Sequence, residues 1–301
     1  MLSGMARIAI IGGGSIGEAL LSGLLRAGRQ VKDLVVAERV PERADYLADT
    51  YSVLVTSVTD AVENATFVVV AVKPADVEAV MGELARAAAA AESDTADQVF
   101  VTVAAGITIT YVESKLPAGT PVVRAMPNAA ALVGAGVTAL AKGRFVTAPQ
   151  LEEVSALFDA VGGVQTVPES QMDAVTALSG SGPAYFFLMV EALVDAGVAA
   201  GLSRQVATDL TAQTMAGSAA MLLERMDQDR RPGEGEALGT GADATATQLR
   251  ATITSPGGTT AAALRELERG GLRAAVDAAV QAAKRRSEQL RITSEVSKHP
   301  D

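Results

Sequence analysis

A glycine-rich segment near the start of the chain constrains the fold more than any other feature. The apolar run from Arg7 to Ile11 leads directly into Gly12-x-Gly14-x-x-Gly17, and a leucine-rich helical pattern follows. In this setting the first glycine permits a tight turn, the second lets the backbone approach a pyrophosphate, and the third lets helix and strand pack closely. The segment therefore predicts a dinucleotide-binding βαβ unit. The residues expected to hold the cofactor here are Gly12, Gly14, Ser15, Ile16 and Gly17.

Strand-like and helix-like segments alternate over the first half of the chain. Helical patterns begin near Pro41, cover about 75–91 and 108–115, and restart at Thr147-Ala-Pro-Gln150, a capping box that opens a helix through Val161. This alternation is typical of a doubly wound, mostly parallel sheet. The predicted strands lie at 7–11, 34–37, 52–55, 67–72, 99–103 and 122–125, with a possible edge strand at 137–141.

The pattern changes after Val167. From there helical periodicity dominates, and the predicted helices cover 171–178, 183–200, 203–226, 259–269 and 272–289. The sequence thus predicts an α/β Rossmann-type domain over residues 1–167 and an all-α domain over residues 168–301. The polar, glycine-rich stretch 227–247 lacks apolar periodicity, and we expect it to be a mobile surface loop.

Several further segments lie where parallel strands end, the edge at which open α/β sheets bind ligands. Glu38, about twenty residues after the fingerprint, could accept hydrogen bonds from a ribose 2′-hydroxyl, whereas Arg39 could pair with a 2′-phosphate, so both NADPH and NADH stay open. Asn128 offers a donor and an acceptor to the same crevice. The remaining cofactor candidates at this edge are Ala71, Val72, Lys73, Pro74, Ala104 and Ala105.

A second anion site is predicted at 255–260, Ser-Pro-Gly-Gly-Thr-Thr, immediately before a helix. Its glycines expose backbone N–H groups, the helix start is electropositive, and three hydroxyls add donors, which together suit a carboxylate. Ser179-Gly-Ser-Gly-Pro183 is similar, although close helix packing explains it equally well. Each of the two domains would thus present one cluster of amides, and we expect the two clusters to face each other across a cleft.

Composition excludes other classes of chemistry. The chain has no cysteine, which excludes thiolate nucleophiles and cysteine metal sites. Its single histidine, His299, stands two residues from the end, so we expect neither histidine catalysis nor a histidine-ligated metal, and no metal site is predicted. The formal net charge of −10 argues against nucleic acid as a partner. No charged-then-apolar leader precedes Arg7 and no apolar run approaches about 20 residues, which favours a cytoplasmic protein without a membrane span.

At these residues the chain resembles the pyrroline-5-carboxylate reductase family. The resemblance covers nearly the whole chain and rests on the glycine fingerprint, Ala-Val-Lys-Pro at 71–74, Met-Pro-Asn at 126–128, the 172–185 segment and Thr-Ser-Pro-Gly-Gly-Thr-Thr at 254–260. It implies a Rossmann domain followed by a helical dimerisation domain, with dimers assembled further into rings. It also implies reduction of Δ1-pyrroline-5-carboxylate to L-proline with NADPH or NADH.

The resemblance assigns roles to individual residues. Thr260 matches the threonine that hydrogen-bonds the ring nitrogen, and Glu169 matches an acidic residue near the substrate amine. The residues expected to hold the substrate are Asn128, Glu169, Ser255, Gly258, Thr259 and Thr260. Two alternatives remain: a β-hydroxyacid dehydrogenase, which would need a catalytic lysine that the helices of 171–226 lack, and a non-enzymatic dinucleotide sensor, which would need no second anion site.

Overall fold

The computed structural model describes residues 6–90, 98–230 and 242–291. The strands are β1 Ile8–Ile11, β2 Leu34–Ala37, β3 Leu54–Thr56, β4 Phe67–Val70, β5 Val99–Thr102, β6 Val122–Met126, β7 Gly136–Lys142 and β8 Gly162–Thr166. The helices are α1 Ser15–Arg26, α2 Pro41–Tyr51, α3 Val58–Val62, α4 Val77–Ala90, α5 Ile109–Lys115, α6 Ala148–Asp159, α7 Met172–Val175, α8 Gly182–Ala199, α9 Arg204–Arg230, α10 Ala242–Thr252, α11 Thr259–Arg269 and α12 Leu272–Gln289.

The strands form one eight-stranded sheet in the order β3-β2-β1-β4-β5-β6-β7-β8. Neighbouring strands are parallel except for β6 and β7, which are antiparallel. The predicted doubly wound, mostly parallel sheet is therefore confirmed. One detail was wrong: the predicted edge strand at 137–141 lies inside the sheet, because β8 pairs with it on the far side.

The sheet is buried on both faces. All four residues of β4 are at most 1% exposed. Phe67 and Val69 pack on one side with α1 and α6, while Val68 and Val70 pack on the other with α4 and α5. A strand with two apolar faces needs a continuous run of large side chains, and that run is what the sequence shows. The strand ends are thereby held in fixed positions at one edge, where the glycine-rich turn lies.

Local capping signals define several helix starts. The capping box at α6 is present in full: the Thr147 side chain accepts a hydrogen bond from the Gln150 amide, and the Gln150 side chain accepts one from the Thr147 amide. At α5, Thr108 Oγ1 accepts from the amide of Tyr111 at 3.1 Å. These side chains satisfy amides that a helix leaves without partners in its first turn.

The helices after Val167 follow the predicted ranges closely, with two corrections. The first predicted helix is irregular, since α7 passes into a π-helical turn at Thr176–Gly180. The predicted loop at 227–247 is wrong at both ends, because α9 continues to Arg230 and α10 begins at Ala242; the rest of that prediction, 231–241, lies outside the described residues. Both segments are helical without an apolar stripe, so periodicity could not reveal them. His299 also lies outside the described residues.

The chain divides into two compact units, one formed by 1–183 together with 280–301 and the other by 184–279. The last strand of the first unit ends at Thr166, close to the predicted boundary at Val167, which remains a prediction about the division of function. In the second unit α8 and α9 approach each other next to the turn that joins them, where a Cβ on Gly197 would lie 3.1 Å from Cβ of Ala207. Among its described residues few are buried, and the apolar side chains of α8 and α9 are largely exposed.

The expectation about apolar runs also needs correction. Within the described ranges, one helical segment, Glu169–Ala199, is long and apolar enough to cross a membrane by length and composition alone, and 11% of its apolar window is buried. A helix that meets another copy of the chain through exposed apolar side chains has the same composition. The composition of this helix therefore does not by itself distinguish a membrane span from a contact with a second copy of the chain.

Candidate active site

The glycine-rich turn between β1 and α1 has the geometry that its sequence implies. Gly12 has φ of +104°, a conformation that favours glycine, and a Cβ there would lie 2.8 Å from the carbonyl oxygen of Ala71. A Cβ on Gly17 would lie 2.0 Å from the carbonyl oxygen of Gly12. A Cβ on Gly14, in contrast, would meet no protein atom within 4 Å. The turn is therefore tightly packed against the protein at Gly12 and Gly17 and open to solvent at Gly14, where a twelve-residue helix starts.

A carboxylate holds this turn in place from β2. Glu38 follows the strand, and its two oxygens accept hydrogen bonds from the amides of Gly13 and Val40, each at 2.9 Å. The acid predicted to meet a ribose hydroxyl is thus also a brace for the turn. Each carboxylate oxygen has a further lone pair, so these bonds leave Glu38 able to accept another donor.

A second polar group supports the turn from α2. Arg43 donates from Nε to the carbonyl oxygen of Gly13 at 2.7 Å and pairs with Glu18, which also accepts from the hydroxyls of Tyr46 and Tyr51. Burial would raise the pKa of Glu18, but the bonds from Arg43 and the two tyrosines outweigh it and lower the pKa. Burial and the Glu18 carboxylate together raise the pKa of Tyr51 to about 12.

The other predicted cofactor residues lie at the same edge of the sheet. Arg39 is exposed after β2, and Ala71 to Pro74 follow β4, with Lys73 and Pro74 exposed. Ala104 and Ala105 follow β5, where their small side chains leave room for a ligand at the edge of the sheet. Because β2, β1, β4 and β5 are neighbours in the sheet, the structure brings all these segments together around the glycine turn.

Asn128 and Glu169 also belong to the first unit, and both have structural partners. Asn128 Oδ1 accepts from the amide of Val137 at 3.2 Å, which leaves its NH₂ group as a donor. Glu169 Oε1 accepts from the amide of Ile109 at 2.7 Å and lies 3.4 Å from the guanidinium of Arg124, a side chain that is 3% exposed. Glu169 therefore neutralises a buried arginine, a role that the sequence did not indicate.

The predicted carboxylate receptor lies in the second unit at the start of α11. Gly258 is the N-cap residue and has no side chain to satisfy the helix amides, while Gly257 has φ of +71°. The amide of Gly258 donates to the carbonyl oxygen of Ser255 at 3.0 Å, which closes the turn. Ser255 and Thr259 are exposed, and Thr260 is partly exposed. Amides and hydroxyls are thus available to an anion at this helix start.

The similar motif at 179–183 has partners within the protein at two of its residues. It forms the π-helical turn before α8, where Ser179 Oγ donates to the carbonyl oxygen of Val175 at 3.0 Å. A Cβ on Gly180 would lie 2.9 Å from Cε of Met126. Gly180 therefore packs against the end of the Met126 side chain, and the neighbouring Ser179 hydroxyl is already bonded.

Comparisons with known proteins agree with this division of the chain. Residues 169–290 match the family described as pyrroline-5-carboxylate reductase dimerisation, and residues 7–106 match NADP oxidoreductase coenzyme F420-dependent. A pyrroline-5-carboxylate reductase from Mycobacterium tuberculosis is 84% identical over 295 residues, which cover 98% of this chain and 100% of the relative. The chain belongs to the pyrroline-5-carboxylate reductase family. It is an NAD(P)H-dependent oxidoreductase, and its helical part is a dimerisation domain.

Solved structures of pyrroline-5-carboxylate reductases have the same fold. The structure from Coxiella burnetii is 34% identical with a TM-score of 0.83, and the match covers 96% of this chain and 100% of that one. The pyrroline carboxylate reductase from Plasmodium falciparum, solved with NADP bound, is 26% identical with a TM-score of 0.76, covering 95% and 98%. The predicted family, fold class and enzyme class are therefore confirmed, and both rival functions fall away.

Four charged residues that contact the candidate site residues of this pyrroline-5-carboxylate reductase were not predicted from the sequence. Arg43 and Glu18 brace the glycine turn, Arg124 is neutralised by Glu169, and Asp76 pairs with Arg39. Each pair joins residues that are 25 to 45 positions apart along the chain. A charged residue in a helix or strand carries no local signal of a partner so distant.

Proposed function

We propose that the chain reduces Δ1-pyrroline-5-carboxylate to L-proline with the cofactor held at the glycine turn of the first unit. The observation that carries this assignment is the open space beside Gly14, since a Cβ on any of the other three glycines of the turn, Gly12, Gly13 and Gly17, would meet protein atoms closer than 3.0 Å. Amides at the start of α1 and its positive dipole end suit a pyrophosphate. In this proposal residues 1–167 bind the cofactor through Gly12, Gly14, Ser15, Ile16, Gly17, Arg39, Ala71, Val72, Lys73, Pro74, Ala104 and Ala105.

The substrate carboxylate is assigned to the start of α11, within residues 168–301. Ser255, Gly258, Thr259 and Thr260 supply amides and hydroxyls there, and the N-cap glycine leaves these amides to a ligand. The turn carries no fixed positive charge, so it relies on several hydrogen bonds and the helix dipole. Such an arrangement suits a small monoanion on a chain whose overall charge is negative.

The chemistry requires positioning more than covalent help. Bound NAD(P)H supplies the hydride, and the ring carbon that receives it is already electron-poor because the neighbouring nitrogen is positively charged when protonated. Thr260 is the proposed catalytic residue: its hydroxyl would hydrogen-bond the ring nitrogen and hold the carbon in place. Fixing two reactants in one orientation removes much of the entropic barrier. Asn128 would add an amide donor from the first unit.

Glu169 has a less direct place in this proposal. Its carboxylate already accepts the Ile109 amide and faces Arg124, so it would favour a protonated substrate amine only through the oxygen that these bonds leave. The proposed reaction therefore depends on Thr260 more than on Glu169. Replacing Glu169 would leave the buried charge of Arg124 without its partner, so the substitution would reduce the stability of the fold. A loss of activity in such a variant would therefore not show that Glu169 takes part in the reaction.

The assembly proposed is a dimer through the helical domain, with dimers joined further into a ring. The exposed apolar helix within 169–199 would meet a second copy, which explains its composition without a membrane. The remaining partner is the small-molecule substrate, and we propose no nucleic-acid or membrane partner for a chain with a net charge of −10. A cytoplasmic location is proposed on the same grounds.

The test is a direct assay of the full-length chain. The protein is mixed with NADPH or with NADH, pyrroline-5-carboxylate is added, and cofactor oxidation is followed by absorbance while proline is measured by chromatography. Oxidation of cofactor with an equal amount of proline formed is the expected result. Cofactor binding without proline formation would leave a dinucleotide-binding protein and refute the proposed reaction.

A further inference from the structure

An ion pair crosses the sheet edge beside the glycine turn. Arg39 follows β2 and Asp76 precedes α4, in the segment after β4; the guanidinium and carboxylate are 2.7 Å apart. In the sheet, β1 lies between these two strands, so the pair spans the end of the strand that carries the fingerprint. Both groups reach solvent, since the Arg39 side chain is 75% exposed and that of Asp76 is 28% exposed.

Two charged side chains that contact the glycine turn are fixed by the protein. Glu38 is held by the amides of Gly13 and Val40. Arg43 is held by the carbonyl oxygen of Gly13 and by Glu18. Arg39 differs, because its one bonded partner is a carboxylate at the surface, and exchange of such a partner costs little. Of the two arginines beside the turn, it is the one whose guanidinium can turn toward a ligand.

We infer that Asp76 is a specificity-determining residue that sets how strongly the chain prefers NADPH or NADH. This inference rests on the proposed cofactor site. A 2′-phosphate is the group that distinguishes the two cofactors, and a guanidinium recognises it through charge-assisted, bidentate hydrogen bonds. Asp76 competes with that phosphate for Arg39. The 2′-hydroxyl of NADH needs no cation, so its affinity is independent of the competition.

The size of the effect follows from the exposure of the pair. An ion pair at the surface contributes little, so its loss should raise NADPH affinity by about two- to fivefold, the equivalent of about 0.4–1 kcal/mol. Removing the arginine should cost NADPH about tenfold, because hydrogen bonds to charged groups are stronger than neutral ones. Neither change should alter NADH affinity by more than about twofold, since NADH has no phosphate at this position.

The experiment is a thermodynamic cycle on the full-length chain. Isothermal titration calorimetry gives dissociation constants for NADPH and NADH with the wild type, Asp76→Asn, Arg39→Gln and the double variant. Glu78→Gln is the matched control: it removes one negative charge only two positions along the chain, from a residue that pairs with Lys115 instead. A cycle isolates the coupling between Asp76 and Arg39 from the general effect of charge.

We expect Asp76→Asn to tighten NADPH binding selectively, and we expect this gain to vanish when Arg39 is also replaced. Glu78→Gln should leave the ratio of the two affinities unchanged. The inference is overturned if Asp76→Asn affects both cofactors equally, has no effect, or acts equally well without Arg39. A wild type that binds neither cofactor would refute the proposed function itself. This outcome is distinct from a wild type that binds both cofactors and an Asp76→Asn variant that leaves the ratio of their affinities unchanged, which would overturn only this inference.

Discussion

Asp173 Oδ1 accepts a hydrogen bond from Ser287 Oγ at 2.7 Å, although 114 residues separate the two. Arg291 donates to the other carboxylate oxygen, with Nε at 3.0 Å. Asp173 is 1% exposed, whereas the Arg291 side chain is 40% exposed. The end of α12 is thereby fixed to α7 within the first unit. A Cβ on Gly106 would lie 2.4 Å from the carbonyl oxygen of Leu290, so the loop after β5 touches the same end.

This relationship predicts a stability defect for Asp173→Asn. The amide keeps the shape but loses the charge and can accept through one atom only, which leaves Ser287 or Arg291 without a full partner. We expect the free energy of unfolding to fall by about 1–3 kcal/mol, measured by urea denaturation at neutral pH. Asp45→Asn, an exposed change in α2, is the control and should have no measurable effect. Equal stabilities for the two variants would contradict the finding.

The stability lost in Asp173→Asn should also depend on pH. Burial would raise the pKa of Asp173, but hydrogen bonds from Ser287 and Arg291 outweigh burial and lower the pKa below its usual value. A group with a lowered pKa contributes stability above its unfolded pKa, about 3.9, and this contribution disappears as pH falls through the folded pKa. The stability difference between wild type and Asp173→Asn should therefore be constant near neutrality and shrink below about pH 4. A difference that stays constant into acid would show that charge is not involved.

The sequence predicts elements best where local physics decides them. The buried strand β4 is a continuous apolar run, and the capping box at Thr147 and Gln150 shows a helix start directly. α10 was missed because Ala242–Thr252 alternates small and polar residues without a face to bury. The bond between Asp173 and Ser287 could not be predicted at all, because nothing local marks a partner more than one hundred residues away.

Two alanine substitutions in the glycine turn should affect different properties, one the stability of the fold and the other the affinity for the cofactor. Gly17→Ala places a methyl group on the carbonyl oxygen of Gly12, so we expect it to lose about 1–3 kcal/mol of stability. Gly14→Ala meets no protein atom, so the fold should be unaffected, but the methyl group would occupy the space assigned to pyrophosphate. Cofactor affinity should then fall at least about tenfold. Thermal unfolding and calorimetry on both variants separate the two effects, and normal cofactor affinity in Gly14→Ala would remove the turn from the cofactor site.

Thr260→Ala tests the catalytic assignment. Loss of a hydroxyl that bonds the reacting ring should reduce kcat/KM by about 10²–10³, as removal of one donor to a transition state does. Cofactor affinity, measured by calorimetry, should stay near that of the wild type. Thr252→Ala is the matched control, because its hydroxyl only donates to the carbonyl oxygen of Gln248 within α10. Full turnover in Thr260→Ala would exclude this hydroxyl from the reaction.

We expect the chain to meet its second copy through the exposed apolar side chains of α8. Phe186, Phe187 and Leu188 are consecutive and each more than 60% exposed, so the helix is apolar around much of its circumference. Surfaces of this kind mark an interface, and the stretch lies inside the dimerisation match at 169–290. The wild type should therefore sediment as a dimer or larger at micromolar concentration.

Leu188→Glu should weaken that assembly while leaving the fold of the chain intact, because the side chain is already exposed within one copy. Burying a charge in place of a leucine at a two-fold interface costs both copies, so the dissociation constant should rise by at least about tenfold. Val133→Glu provides the control: it is 79% exposed and apolar, but it lies in the first unit, outside the dimerisation match. Sedimentation that is equally altered by both variants, or by neither, would place the interface elsewhere.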